Sequence, residues 1–328
     1  MASVLTRRDA LTLVGGSLAV LGLPVSAAKA ADKMRVGKAV AQVFSFVPLN
    51  IGMKYGFFEK NGIEVEEINF VSGSGLAQAL TAGAIDMTLS AGPDMAFTAK
   101  GAPEIAVASI TSSPAFMGIA IGSQSTAQTL DDLKGKKIAV TSAGSLTYWL
   151  VDELNRVKGW TSDADRAIPI AIGGAPPTQF AAIKTGQVDA SIGGLQVGYQ
   201  LEEEHAGRLL VDLTAYVKDI ELFVTFASTA IIQQNPDAVR RFLKGWYEAV
   251  AFMKSHKAET VQLSVETAGY TPGVANRMYD RLMPQLSSDG KFEAKALEKL
   301  HASFVDLKIL DPSIEMSKLY TTEFLPKS

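Results

Sequence analysis

The sequence carries one local pattern at two distant positions. Residues 79–90 read Ala-Leu-Thr-Ala-Gly-Ala-Ile-Asp-Met-Thr-Leu-Ser, and residues 182–193 read Ala-Ile-Lys-Thr-Gly-Gln-Val-Asp-Ala-Ser-Ile-Gly. Each segment is typical of a helix end, a glycine that stops the helix, an aspartate and a short buried strand. Any α/β protein repeats helix-glycine-strand units, so ordinary repetition is one interpretation. The favoured interpretation is two lobes of similar build, each directing the carboxyl end of a strand into a shared cleft, where open α/β sheets bind ligands.

Short strands alternate with helices around these two segments. Residues 34–43 and 64–70 predict strands before the first segment, and residues 137–141 begin a second series. This alternation indicates an α/β protein with mostly parallel sheets. Late in the chain, Asn235 as a cap and Pro236 as the first helical residue predict a long helix.

Composition excludes several classes of protein. The chain has 328 residues, of which 47% are apolar and 20% charged, as expected for a globular protein with a substantial core. It contains no cysteine, which rules out disulfides, thiolate metal sites and cysteine nucleophiles. Its three histidines, His205, His256 and His301, are too far apart in sequence to predict a metal cluster. A net charge of −3 without a basic block argues against nucleic-acid binding.

The first 30 residues have the three parts of an export signal. A basic start with Arg7-Arg8 precedes a mostly apolar run, and Ala28-Lys29-Ala30 fits a signal-peptidase site. The arginine pair resembles a twin-arginine signal, although Ala10 and Thr12 depart from that pattern and leave a Sec route open. The apolar run is shorter than the ~20 residues that span a bilayer. We therefore expect a cleavable N-terminal signal rather than an anchor, and a soluble periplasmic protein.

A series of short motifs runs in order along the rest of the chain. Its members are Pro48-Leu49, Gly56-Phe57-Phe58, Gly62-Ile63-Glu64-Val65, Ser72-Gly73-Ser74-Gly75, Gly83-Ala84-Ile85-Asp86, residues 130–140, Gly186-Gln187-Val188-Asp189-Ala190 and Asn235-Pro236-Asp237-Ala238-Val239. In order and spacing these motifs resemble the nitrate/sulfonate/taurine family of periplasmic solute-binding proteins, which serve ABC importers. The resemblance covers most of the chain after the signal.

This resemblance implies an α/β, two-lobed periplasmic binding protein fold of type II. Each lobe would be a mixed sheet flanked by helices, with two hinge crossings near residues 117–121 and 222–225. Lobe 1 would then comprise residues 31–118 and 222–328, and lobe 2 residues 119–221. The chain departs from the family after Asp189, where many members carry an aromatic-acidic-proline run. It has Gly193-Gly194-Leu195-Gln196 there, so one pocket wall loses a bulky side chain and a charge.

Two loops predict where a ligand binds. Residues 72–75 and 142–145 each follow a strand, begin a helix and combine serine with glycine. The first turn of a helix has unpaired N–H groups and a partial positive charge, so two such ends can hold an anion. No arginine or lysine lies near the predicted strand ends, which favours a sulfonate, a carboxylate or a neutral polar ligand over a cation. Simple helix capping is the alternative for each loop.

Aromatic side chains are the second group of residues in the predicted site. Rings near the first strand, the second loop and the crossings could pack against the organic part of a ligand, although ordinary core packing is equally compatible with them. Glu221 could accept a hydrogen bond from a ligand amine, but exposure at a hinge is the favoured interpretation. The candidate ligand-binding residues are Gln42, Phe44, Ser45, Ser72, Gly73, Ser74, Ser90, Gly92, Phe116, Thr141, Ser142, Ser145, Tyr148, Gly193, Gly194, Glu221 and Phe223.

An enzyme is the main rival class. The sequence contains no Gly-x-Ser-x-Gly, His-Glu-x-x-His or Gly-x-x-x-x-Gly-Lys motif. A related fold makes a thiamine pyrimidine precursor with pyridoxal phosphate, iron and a cysteine-rich segment, which a chain without cysteine does not match. We therefore expect a binding protein with no catalytic residues, no metal and no cofactor. The closer alternative is a binding protein for a pyrimidine or other neutral heterocycle, with Gln42 or Glu221 making edge contacts.

The expected mechanism is closure of the two lobes on the ligand. A ligand that contacts both lobes binds the closed form more tightly and shifts the population towards it. The closed form would dock on an ABC permease in the membrane, and a partner ATPase would supply the energy. The expected partners are thus a small-molecule ligand and this transporter, with no nucleic acid, and the chain itself is expected to be a monomer.

Overall fold

The computed structural model describes residues 31–327. The predicted export signal, its twin-arginine pair and its cleavage site fall in residues 1–30 and lie outside the described residues. Within the described range no helix combines the length and the apolar character needed to cross a membrane.

Ten strands, twelve α-helices and seven short 3-10 helices make up the regular structure of residues 31–327. The strands are β1 (Asp32–Lys38), β2 (Ile63–Asn69), β3 (Met87–Ala91), β4 (Glu104–Thr111), β5 (Met117–Gly122), β6 (Lys137–Val140), β7 (Ile168–Ala171), β8 (Ala190–Gly194), β9 (Gly207–Asp212) and β10 (Phe223–Ser228). The helices are α1 (Val47–Lys54), α2 (Phe57–Lys60), α3 (Gly73–Thr81), α4 (Met95–Ala99), α5 (Leu146–Lys158), α6 (Pro176–Lys184), α7 (Leu195–Glu203), α8 (Thr229–Gln234), α9 (Pro236–Ser255), α10 (Lys257–Ala268), α11 (Pro272–Leu282) and α12 (Ala294–Asp306).

The strands form two five-stranded sheets of the same topology. The first has the order β2-β1-β3-β10-β4 and the second the order β7-β6-β8-β5-β9. In each sheet three neighbouring strands run parallel, and the fourth is antiparallel to both of its neighbours. The sheets are therefore mixed, as the resemblance implied, although four of the five strands in each run in the same direction. Sequence periodicity alone does not reveal this, because β5 and β10 join their sheets through contacts distant along the chain.

The two similar sequence segments occupy equivalent places in the two sheets. Residues 79–90 run from the end of α3 into β3, and residues 182–193 run from the end of α6 into β8. Both β3 and β8 are the middle strand of their sheet. The helices stop as expected at Gly83 and Gly186, whose φ values of 71° and 69° lie in the left-handed region that favours glycine.

The aspartates of these segments hold loops in place. The Asp86 carboxylate accepts a hydrogen bond from the Arg35 backbone N–H at 2.9 Å, and the Asp189 carboxylate accepts one from the Lys137 backbone N–H at 2.8 Å. Arg35 lies in β1 and Lys137 in β6, which are equivalent strands of the two sheets. Each aspartate therefore ties the turn before its strand to the neighbouring strand of the same sheet.

The chain passes between the two sheets twice. Residues 112–116 connect β4 to β5, and residues 213–222 connect β9 to β10. Both connections lie just before the segments predicted as crossings, since 117–121 belong to β5 and 223–225 to β10. The residue limits of the two lobes remain a prediction.

The long C-terminal helix begins where the sequence indicates. The Asn235 side chain caps α9 by accepting a hydrogen bond from the Ala238 N–H at 3.2 Å, and Pro236 occupies the first turn. The buried face of α9 packs on α1 and α2, and the rings of Phe58 and Phe242 stack with centroids 5.0 Å apart. This packing places α2 and α9 against β2, the edge strand of the first sheet.

Candidate functional site

A narrow cavity of about 80 Å³ lies at the carboxyl ends of the parallel strands of both sheets. The first sheet contributes Ala39, which follows β1, and Ser90 at the end of β3. The second contributes Thr141, which follows β6, together with Gly193 and Gly194 at the end of β8. Ligands of open α/β sheets bind at such strand ends, so this cavity is the candidate site.

Phenylalanine rings form one wall of the cavity. Phe46 and Phe223 meet edge to face with centroids 5.3 Å apart, and Phe116 meets Phe223 in the same way at 6.2 Å. Phe44 completes this wall, and all four side chains are buried. Edge-to-face packing holds the rings in fixed orientations, which suits them to pack against a flat apolar ligand.

Few polar side chains line the cavity. Among the described residues that line it there is no lysine, arginine or histidine. The polar lining consists of Ser90, Asp94, Thr141, Ser145, Thr147, Gln179 and Gln196. Asp94 is thus the one ionisable side chain in the described lining.

Asp94 is buried on the first-sheet side of the cavity. Its carboxylate accepts hydrogen bonds from the Ser90 hydroxyl and, at 3.4 Å, from the Ala91 backbone N–H. Burial raises the pKa of this carboxyl to about 6, although both hydrogen bonds favour its charged form. Asp94 can therefore carry a negative charge at neutral pH and accept a hydrogen bond from a ligand.

The same carboxylate lies against the N-terminus of α3. A Cβ atom built on Gly73, the first residue of α3, would come within 2.5 Å of Oδ2 of Asp94. The helix end that the sequence analysis assigned to a ligand anion is therefore faced by an acidic side chain of the protein itself. The partial positive charge of the helix end stabilises Asp94 there.

The two serine-glycine loops meet at the cavity. The hydroxyl oxygens of Ser74 and Ser142 lie 3.1 Å apart, so the 72–75 loop of the first sheet contacts the 142–145 loop of the second. Capping occupies part of their hydrogen-bonding capacity. Ser72 Oγ accepts from the Gly75 N–H at 3.3 Å, and Ser145 Oγ accepts from the Tyr148 N–H at 3.3 Å. The capping interpretation is confirmed for Ser72 and Ser145, whereas ligand binding by these two loops remains a prediction.

Two amide side chains line the cavity from the second-sheet side. Gln179 lies in α6, where it accepts a hydrogen bond from Ser191 Oγ at 3.0 Å and donates to the Gly173 carbonyl at 3.2 Å. Gln196 lies in the first turn of α7 and donates to the Gln42 carbonyl at 3.4 Å. Amides offer both donors and acceptors, so this side of the cavity can match the polar edge of a ring.

About half of the predicted ligand-binding residues line the cavity, on both of its sides. They are Phe44, Gly73, Ser90, Phe116, Thr141, Ser145, Gly193, Gly194 and Phe223. Those that the structure does not place in its lining are Gln42, Ser45, Ser72, Ser74, Gly92, Ser142, Tyr148 and Glu221.

Several residues of the second group are direct neighbours of lining residues along the chain. The Gln42 carbonyl accepts hydrogen bonds from Gln196 and, at 2.5 Å, from the hydroxyl of Tyr270. Gly92 packs so closely on the Glu221 backbone that a Cβ there would lie 1.8 Å from its carbonyl oxygen. Ser45 is fully buried, and its hydroxyl has no hydrogen-bond partner among residues 31–327.

The expectation that Glu221 is exposed at a hinge is wrong. Its side chain is completely buried, and it accepts hydrogen bonds from Ser109 Oγ and from the Glu293 backbone N–H, both at 2.7 Å. Burial raises the pKa of this carboxyl to about 7. Both carboxylate oxygens are used within the protein, so Glu221 supports the crossing between β9 and β10 rather than the cavity.

The sequence alone did not point to Asp94, Gln179 and Gln196. Asp94 directly follows Ser90-Ala91-Gly92-Pro93, a segment that suits a pocket floor, but an aspartate before a helical stretch is more often a cap. Gln196 ends the Gly193–Gln196 segment where the chain departs from its family. The sequence neighbours of Asp94 and Gln196 could have indicated a site, but the burial and hydrogen-bond partners of these side chains are known only from the fold.

The cavity does not fit the pyridoxal phosphate and iron of the related enzymes. No lysine of the described lining could form a Schiff base with an aldehyde cofactor. Residues 31–327 also contain no cluster of three histidine, cysteine, aspartate or glutamate side chains that could hold a metal ion. We therefore derive no reaction step through either group.

Comparison with known proteins places these observations in a family context. The model of the family described as NMT1/THI5 like matches residues 43–260. A putative aliphatic sulfonates-binding protein of Bacillus subtilis is 26% identical over 277 residues, which cover 78% of this chain and 80% of that protein. The 4-amino-5-hydroxymethyl-2-methylpyrimidine phosphate synthase THI13 of Saccharomyces cerevisiae is 25% identical over 299 residues, covering 85% and 84%.

A solved structure shares the architecture. The alkanesulfonate-binding protein SsuA of Xanthomonas axonopodis pv. citri, bound to MOPS, superposes with a TM-score of 0.71. Its sequence is 22% identical, and the match covers 87% of this chain and 96% of that one. The expected type II periplasmic binding protein fold is confirmed by this likeness and by the two mixed sheets.

Proposed function

This chain belongs to the NMT1/THI5-like family, and on that premise we propose that it is a solute-binding protein for a flat nitrogen heterocycle that carries an N–H donor. The family-level resemblance inferred from the sequence is confirmed, whereas the ligand is our own inference. The observation that supports it is Asp94, a buried carboxylate in the cavity with no cationic side chain beside it in the described lining.

Asp94 reverses the order in which the sequence ranked the ligand classes. A ligand anion 4 Å from this carboxylate would be repelled by about 4 kcal/mol at an effective dielectric constant of 20. A helix N-terminus offsets about 1 kcal/mol of that. Because no lysine or arginine lines the cavity, the sulfonate or carboxylate favoured by the sequence has no further compensation.

A heterocycle with an N–H donor could form hydrogen bonds with both sides of the cavity. Its N–H group would donate to Asp94, and its remaining edge atoms would bond to the amides of Gln179 and Gln196. Its ring would lie against the phenylalanine wall. A charge-assisted hydrogen bond contributes about 1.5–3 kcal/mol, so Asp94 would discriminate strongly against an analogue without the donor.

Binding without catalysis is part of the proposal. The relatives include both a sulfonates-binding protein and a pyrimidine phosphate synthase, so family membership alone does not separate the two activities. The absence of cysteine in the sequence and the poor fit to pyridoxal phosphate favour binding. We propose that the monomer acts in the periplasm and delivers its ligand to an ABC permease driven by a partner ATPase.

Calorimetric titration of the full chain tests the ligand class. The probes are 4-amino-5-hydroxymethyl-2-methylpyrimidine, the analogue without its 4-amino group (5-hydroxymethyl-2-methylpyrimidine) and a short alkanesulfonate. We expect the amino compound to bind best, and Asp94→Asn to weaken its binding by roughly 10- to 100-fold, which corresponds to the loss of one charge-assisted hydrogen bond. Glu221→Gln is the matched control, because it alters a buried carboxyl outside the cavity lining and should leave affinity within about twofold.

A small organic anion is the second candidate. The observation that favours it is the meeting of the 72–75 and 142–145 loops, with Gly73 and Ser145 lining the cavity at the starts of α3 and α5. In that case the alkanesulfonate would bind more tightly than the amino compound, and Asp94→Asn would strengthen its binding. Either result would contradict the proposal that the ligand is a nitrogen heterocycle.

A further inference from the structure

A second buried carboxyl lies behind the cavity floor. Glu104 begins β4, and its side chain is 4% exposed. Together with Asp94, Ser90 and Thr88 it lines a narrow space that has no room for a water molecule. Two acidic side chains therefore line one narrow space, and only Asp94 of the two also lines the cavity.

Nothing in the described surroundings neutralises Glu104. No hydrogen bond or ion pair reaches its carboxyl among residues 31–327, and the buried hydroxyl of Thr88 also lacks a partner there. The other residues around this space are non-titratable: Gly73, Leu76 and Ala77 of α3, Ser90 of β3 and Phe226 of β10. Glu221, another buried carboxyl, is bonded to Ser109 and Glu293 instead.

Two carboxyls in such a region do not ionise independently. Burial raises the pKa of Asp94 to about 6. Burial, together with the negative charge on Asp94, raises the pKa of Glu104 to about 8. Ser90 and the Ala91 N–H stabilise charge on Asp94, whereas Glu104 has no comparable donor among the described residues. Near neutral pH the pair therefore carries one negative charge, on Asp94, and one proton, on Glu104.

We propose that Glu104 is a positioning residue for the binding site: it holds the proton of the pair so that Asp94 carries the charge that a ligand N–H group meets. The idea rests on the proposed function, because it needs a donor at Asp94. A bound donor partly screens the Asp94 charge and so makes it easier for Glu104 to lose its proton. Ligand binding is thereby linked to proton release, whereas an anion at Asp94 would cause proton uptake.

Titration calorimetry of the full chain between pH 7 and 9, in two buffers of different ionisation enthalpy, measures this linkage. The probe is 4-amino-5-hydroxymethyl-2-methylpyrimidine. We expect wild-type affinity to rise roughly three- to tenfold over this range with proton release. Glu104→Gln should abolish the rise. Thr88→Val, which alters the same space without removing a titratable group, should keep it.

A ligand-free measurement separates this idea from the proposed function. Carboxyl ¹³C NMR titration should show Glu104 losing its proton at lower pH in Asp94→Asn than in the wild type, because the neighbouring charge is gone. An unchanged midpoint would overturn the pairing. A rise in affinity that persists in Glu104→Gln, or disappears equally in Thr88→Val, would also overturn it. If no heterocycle binds but the titration midpoint of Glu104 changes in Asp94→Asn, the proposed ligand class is wrong and the pairing of the two carboxyls is supported.

Discussion

Gly73 and Asp94 show how one missing side chain makes room for another. A Cβ atom on residue 73 would lie only 2.5 Å from Oδ2 of Asp94, and real Cβ atoms do not adopt so short a separation. Gly75, two residues along the same loop, is different, because a Cβ there would meet Ser72 Oγ at an ordinary 3.6 Å. At the residue scale, the glycines of this loop therefore have distinct roles.

We predict that Gly73→Ala displaces the Asp94 carboxylate. The free energy of unfolding should fall by about 1–3 kcal/mol, as for other overpacked sites, and affinity for the amino heterocycle should fall with it. Urea denaturation and calorimetric titration measure the two effects. Gly75→Ala is the matched control and should change neither. Equal stability and affinity of the two variants would show that Asp94 does not depend on Gly73.

Elements of the two sheets contact each other at two places: at the loop that follows β7, and between α11 and the elements α7 and β9. Gly174, which follows β7, lies so close to the first sheet that a Cβ on it would come within 3.2 Å of the Val71 carbonyl oxygen and 3.3 Å of a Val40 methyl. On the flank, α11 is tied to α7 and β9: Arg277 pairs with Glu202 at 2.8 Å, and Arg281 pairs with Asp212 at 3.1 Å. These contacts link elements of the two sheets in the described arrangement.

Gly174→Val should therefore hinder the approach of the two sheets. We expect ligand affinity to fall at least tenfold, mainly through faster dissociation, while the unfolding temperature of the ligand-free protein changes little. Stopped-flow binding and small-angle scattering with and without ligand would measure these effects. Ala175→Val, at the exposed neighbouring residue, is the control. A Gly174→Val variant that binds and compacts like the wild type would contradict this role of the loop.

Element-scale prediction succeeded where the signals were local. The Asn235 cap, the Pro236 start of α9 and the glycine stops of α3 and α6 follow from φ preferences and hydrogen bonds within a few residues. The positions of the crossings were harder to predict. Residues 117–121 and 223–225 are mostly apolar because they belong to buried strands, and strand burial does not reveal which sheet a strand joins.

At the scale of the whole molecule, a buried carboxyl couples folding to pH. Glu221 is completely buried beside the second crossing, and its pKa rises from 4.5 to about 7 in the folded state. A group whose folded pKa is raised contributes stability below its unfolded pKa and loses that contribution as pH rises through the folded value. The cost at pH 8 is at most about 3 kcal/mol for this group.

We predict that the free energy of unfolding falls between pH 5 and pH 8, and that Glu221→Gln reduces this fall. Urea denaturation at several pH values measures it. Glu59→Gln, which alters an exposed carboxyl, should leave the pH dependence unchanged. Identical pH profiles for Glu221→Gln and the wild type would mean that other buried acids, such as Glu104, account for the slope.

The sequence by itself determined the local units: which segments are strands or helices, where glycine ends them, and in which order the family motifs follow. Those features depend on residues within a few positions of each other. Only the tertiary structure decided that Ser74 meets Ser142, that Glu221 is buried, and that Asp94 is the charge in the cavity. The physical reason is that burial, dielectric environment and charge partners come from neighbours far away along the chain, so the chemistry of a side chain is set after folding.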